Sequence, residues 1–95
     1  MAESILLVDD DGLILQIAQD ILEAAGYRTV ALQDGQALVS TVASTQPSLI
    51  LLDIMMPGAD GLSLCRQLRT GPDAFRGPIV IASAKHYETD KRMAR

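Results

Sequence analysis

The chain alternates continuous aliphatic runs with segments whose apolar residues recur every three or four positions. Ile5-Leu6-Leu7-Val8 is the first run, and Asp9, Asp10 and Asp11 follow it directly. Ile14, Ile17, Ala18, Ile21 and Ala25 then recur at helical spacing, and Gly26 stands where a C′ residue ends a helix. Arg28-Thr29-Val30-Ala31 reads as a short second strand. Asp34-Gly35 opens a second helix with Asp34 as its N-cap and Leu38 and Val42 on one face, and Pro47 stops it. Leu49-Ile50-Leu51-Leu52 is a third strand that runs straight into Asp53. Residues 57–61 form a loop, Leu62, Cys65 and Leu68 mark a third helix, and Gly71-Pro72 ends it. Gly77-Pro78 introduces a fourth strand, Ile79-Val80-Ile81-Ala82, and a further helix begins near Thr89.

The predicted order is therefore β-α-β-α-β-α-β with the start of another helix. Strands that lack polar alternation are buried on both faces, as in a parallel sheet covered by helices. Right-handed crossovers then place helices on both sides of it. No repeat, low-complexity segment or linker divides the chain.

Composition narrows the function. The chain has 95 residues, enough for one small domain. It carries 12 acidic against 8 basic residues, a net charge of -4, which argues against a binder that grips nucleic-acid phosphates. No stretch approaches the roughly 18 apolar residues of a transmembrane helix, and the N-terminus lacks the pattern of a secretory signal. A single cysteine, Cys65, excludes a disulfide framework and a multi-cysteine zinc site, and fits a reducing, cytoplasmic setting. Its place on the third helix reads as a small core-facing residue.

Chemistry collects where a parallel sheet puts it, at the C-terminal ends of the strands. Asp9 and Asp10 follow the first strand, Asp53 the third and Ser83 the fourth. Two carboxylates about 5 Å apart repel by roughly 3 kcal/mol at an effective dielectric near 20. Such a cluster raises a pKa or binds a cation, and hard oxygen ligands with room for water suit Mg²⁺. Asp10 or Asp11 also serves as an ordinary N-cap for the first helix. Asp53, at the end of an aliphatic run and before Ile54-Met55-Met56, has few structural jobs. Ser83 alone reads as a turn residue.

Three stretches taken together carry a resemblance. Val8-Asp9-Asp10-Asp11, then Asp53-Ile54-Met55-Met56-Pro57-Gly58-Ala59-Asp60-Gly61, then Pro78-Ile79-Val80-Ile81-Ala82-Ser83-Ala84-Lys85 resemble the receiver domain of bacterial two-component response regulators, in order along the whole chain. The resemblance implies an α/β, flavodoxin-like parallel sheet with helices on both faces and strand order 2-1-3-4. It implies a phosphoacceptor signalling module rather than an enzyme. Asp53 accepts a phosphoryl group from a histidine kinase or phosphotransfer protein. Asp9, Asp10, Asp53 and the backbone carbonyl of Met55 hold Mg²⁺, and Ser83 bonds the phosphoryl group and moves as the switch. No nucleic acid and no membrane are expected as partners of this domain.

The sequence departs from that family in its last third. Receivers carry a fifth strand and helix, with a Lys-Pro after the strand, and this chain has no Lys-Pro dipeptide. Lys85 falls at a variable loop position, Tyr87 is not at the aromatic switch position, and His86 reads as a solvated loop residue. Residues 1–95 are thus expected to be a C-terminally incomplete receiver domain, its fourth strand an open apolar edge. Either the chain is a fragment of a longer protein, or self-association or strand exchange covers that edge. The alternative function is a phosphorylation-incompetent interaction or dimerisation module. A haloacid-dehalogenase-type phosphatase is disfavoured because position 55 is Met and not the second Asp that chemistry needs. Flavin binding is disfavoured because Asp9-Asp10-Asp11 would repel a phosphate.

Overall fold

The computed structural model describes residues 3–53, 61–71 and 74–82. They form β1 (Ser4–Val8), α1 (Gly12–Ala24), β2 (Arg28–Leu32), α2 (Leu38–Thr45), β3 (Leu49–Asp53), α3 (Gly61–Leu68) and β4 (Ile79–Ala82). The four strands make one parallel sheet in the order β2-β1-β3-β4. This is the expected topology. The helix expected from Thr89 onward lies outside the described residues.

Alternate residues of each strand face opposite layers. On one face Leu6, Val8, Ile50 and Leu52 pack with Leu38 and Val42 of α2 and Leu68 of α3. On the other, Ile5 and Leu7 pack with Leu15 of α1, joined by Ala18, Leu22 and Leu51. Among the described residues helices therefore cover both faces, with α1 on one and α2 and α3 on the other. Complete burial of side chains such as Leu6, Ile50 and Leu52 stabilises the fold by about 2 kcal/mol each. The central strands β1 and β3 are thus the rigid floor on which the strand-end residues stand.

Helix α1 begins where the Asp11 side chain accepts the backbone N–H groups of Leu13 and Ile14, at 3.0 and 3.3 Å. It ends at Gly26, whose φ of 99° is open to glycine and costly for other residues. The inward face of α1 is Leu15, Ala18 and Leu22, whereas Ile17 and Ile21 are 50% and 64% exposed. That corrects the expectation that Ile17 and Ile21 share the core stripe. The α3 pattern is corrected in the same sense. Leu62 is 56% exposed, and Leu64 joins Cys65 and Leu68 against the core. Asp34 does not cap α2 directly. Its carboxylate accepts the Gln36 N–H at 2.9 Å in the turn before the helix, and Ala37, which has no capping side chain, is the N-terminal boundary.

Candidate functional site

Val8 pairs in register with Leu52, so the next residues, Asp9 and Asp53, leave adjacent strands side by side. The sheet forces this juxtaposition, because parallel neighbours end on the same edge. Asp10 joins them from the turn into α1. One carboxylate oxygen from each of Asp9, Asp10 and Asp53 lies within 4.8 Å of the others. Asp53 is 3% exposed, the one buried charged side chain among the described residues, and Asp9 and Asp10 are half-buried. No buried side-chain nitrogen or oxygen among the described residues lacks a hydrogen-bond partner.

Two hydrogen bonds donated by backbone N–H groups hold the Asp9 turn. The Asp9 N–H donates to the Leu32 carbonyl at the end of β2, at 3.1 Å. The Asp11 N–H donates to Asp9 Oδ1 at 2.9 Å. With Asp11 occupied as the N-cap, the two readings left open for Asp10 and Asp11 separate: Asp10 belongs to the cluster and Asp11 to the helix. The support from Leu32 was not foreseen. Its signal in the sequence is only its place at the end of a strand next to β1.

Of the other expected site residues, Met55 and Ser83 lie outside the described residues, as do Lys85, His86 and Tyr87. Asp53 pairs in register with Ala82, the residue that precedes Ser83 in the sequence.

The donor set fits a divalent ion. Oxygens on opposite sides of an octahedral Mg²⁺ stand about 4.2 Å apart, from bonds of roughly 2.1 Å. Three hard carboxylate oxygens within 4.8 Å need little movement to share one such ion. Their negative charge, held at a sheet edge with one member buried, favours it. A cavity of about 30 Å³ lined by Leu7, Ile14, Leu15, Ala18 and Leu51 reaches Asp9 and Asp53. It is apolar and makes one wall of the site. The larger clefts, of about 440–550 Å³, lie away from the acidic cluster.

The described structure is thus a parallel sheet covered on both faces, with three acids gathered at one strand-end edge. Residues 5–95 match the response regulator receiver domain, and the chain belongs to that family. It is 42% identical over 87 residues to the transcriptional regulatory protein BaeR of Escherichia coli O6:H1, covering 92% of this chain and 35% of BaeR. It is 38% identical over 91 residues to the alkaline phosphatase synthesis transcriptional regulatory protein PhoP of Bacillus subtilis, covering 96% of this chain and 37% of PhoP. The chain therefore spans about a third of the length of these curated relatives.

Solved structures agree. The receiver domain of a Pseudomonas aeruginosa sensor histidine kinase, with a magnesium ion coordinated in its active-site cleft, superposes with a TM-score of 0.81. It is 28% identical, covering 97% of this chain and 75% of that one. The receiver domain of Klebsiella pneumoniae RstA gives a TM-score of 0.75 at 31% identity, covering 97% and 80%. The acidic triad of this chain is consistent with the Mg²⁺ site of receiver structures. Receivers are phosphoacceptor modules rather than classical enzymes. No described helix is long and apolar enough to cross a membrane.

Proposed function

We propose that this domain takes a phosphoryl group from a phosphohistidine of a partner histidine kinase or phosphotransfer protein onto the carboxylate of Asp53. The observation that carries the reading is the convergence of Asp9, Asp10 and Asp53 within 4.8 Å at the ends of adjacent parallel strands. A carboxylate oxygen of Asp53 attacks phosphorus, the phosphorus–nitrogen bond breaks, and the imidazole leaves as its neutral form after taking a proton. The product is an aspartyl phosphate. The strands fix Asp53, so the step depends on positioning and charge compensation. Asp9, Asp10, Asp53 and the Met55 carbonyl would hold a Mg²⁺ ion, which would supply the charge that offsets the incoming phosphoryl oxygens. Ser83 donates to the phosphoryl group and shifts an existing equilibrium between two loop arrangements. The output is a change of conformation or association in a cytoplasmic signalling protein.

The test is incubation with acetyl phosphate and Mg²⁺, followed by intact-mass measurement, with Asp53→Asn as control. The wild-type chain gains one phosphoryl group, and the variant gains none. A wild-type chain that binds Mg²⁺ and gains no phosphoryl mass would establish the phosphorylation-incompetent interaction module instead.

A further inference from the structure

Helix α2 has few of the local features that stabilise a helix. Its eight residues, Leu-Val-Ser-Thr-Val-Ala-Ser-Thr, include no charged side chain, no acidic group in the first turn and no basic group in the last. β-branched and hydroxyl residues are poor helix formers. The hydroxyls of Ser40, Ser44 and Thr45 donate to carbonyls of their own helix, at Ala37, Thr41 and Thr41, over 3.1, 3.2 and 2.7 Å. Such bonds compete with the helix ladder. Ala37 supplies no cap, and the C-terminal boundary residue Gln46 is held left-handed at φ 49°, ψ 61° without being glycine. Its hold on the sheet face rests on two buried side chains, Leu38 and Val42. Helix α1 is the contrast, with thirteen residues, a double cap from Asp11, and Gly26 at its end.

We propose that α2 and its flanking turns open as a separate cooperative unit while the sheet and α1 stay folded. The connection permits it. From Leu32 to Leu49 the chain has an extended reach of roughly 50 Å, against about 17 Å for the length of a five-residue strand. Release of α2 therefore breaks none of the β2-β1 or β1-β3 pairing. What it uncovers is the face of Leu6, Val8 and Leu52, the last two being the residues before Asp9 and Asp53. The opening thus bares the strand residues that immediately precede two of the three acids. It does not depend on the phosphoacceptor reading.

Amide hydrogen exchange of the full chain under increasing urea tests this. The α2 amides, such as Thr41 and Gln46, exchange at least roughly tenfold faster than those of β1 and β3, with a weaker urea dependence. Asp11→Ala weakens α1, which stays folded when α2 opens. It therefore speeds β1 and β3 exchange about fivefold and leaves α2 exchange unchanged. Gln46→Gly slows α2 exchange. Equal protection of α2, β1 and β3 in the wild type, or equal acceleration of all three in Asp11→Ala, would overturn the proposal.

Discussion

The backbone N–H of Asp11 donates to Oδ1 of Asp9 at 2.9 Å while the Asp11 side chain caps α1. One residue thus starts the helix and orients a carboxylate of the acidic cluster. The two tasks use different atoms. The cap needs the Asp11 carboxylate, and the orientation of Asp9 needs only a backbone donor that any residue except proline supplies.

Asp11→Ala therefore lowers stability by about 1 kcal/mol and leaves Mg²⁺ affinity within roughly twofold of wild type. Asp10→Asn does the reverse. It removes one charged ligand and weakens Mg²⁺ binding about tenfold or more, with little change in helix content. Isothermal titration with MgCl₂ and urea unfolding of the two variants separate the roles. Equal loss of Mg²⁺ affinity in both would show that Asp11 belongs to the cluster.

Three carboxylates within 4.8 Å oppose folding when no cation is bound, because folding brings their charges together. In metal-free buffer, Asp53→Asn removes the buried member while keeping its shape. It raises unfolding free energy by about 1 kcal/mol, a rise of roughly 5 °C in Tm. Saturating Mg²⁺ reverses the order, since the ion stabilises the wild type by binding its folded state and the variant binds it less well. Calorimetric scans with EDTA and with MgCl₂ give the comparison. A variant less stable than wild type in EDTA would mean that the hydrogen bonds of Asp53 outweigh the repulsion.

The sheet and the acidic cluster were legible because both follow from runs of residue type. Leu49 to Leu52 admits no polar alternation, so β3 had to be covered on both faces, and Asp53 had to sit at its end. The faces of the helices were not legible to the same degree. In α1, Leu13, Ile14, Leu15, Ile17, Ala18, Ile21 and Leu22 are apolar almost all round, so two rival stripes satisfy the 3.6-residue period. The choice of Leu15, Ala18 and Leu22 is made by how the turn from Asp9 to Asp11 delivers the helix onto the sheet. No periodicity encodes that angle. Asp34 misled for a related reason: an Asp before a hydrophobic segment caps a turn as readily as a helix, and here it caps the turn.

Cys65 is a free thiol on α3, packed against the α2/α3 core. Burial pushes its pKa above the usual thiol value, and the nearby Arg69 guanidinium opposes that shift only in part. The folded thiol holds its proton more tightly than the unfolded one. Stability is accordingly unaffected by this group near neutral pH and falls as pH rises past about 9, where the unfolded thiol ionises first. Alkylation by iodoacetamide at pH 7.5 is several-fold slower than for a free small thiol and recovers in urea. A folded chain that alkylates as fast as the unfolded one would remove burial as the controlling factor.

Arg69 closes the connection between α3 and β4. Its Nη1 donates to the carbonyls of Phe75 and Gly77 at 2.9 and 2.7 Å, and its guanidinium lies 5.7 Å from the centre of the Phe75 ring. Phe75 packs on the core, and Pro78, just beyond Gly77, accepts the Ile50 N–H that starts the β3-β4 ladder. The clamp thus sets the register of the strand that leads to Ser83. Arg69 is exposed and water competes for its guanidinium, so Arg69→Ala costs only about 1 kcal/mol. Arg69→Lys restores less than half of that, because a point-like ammonium lacks the flat fork that stacks on a ring while bonding two carbonyls. Urea unfolding of both variants measures the effect. Full rescue by lysine would show that charge alone, rather than guanidinium geometry, holds the connection.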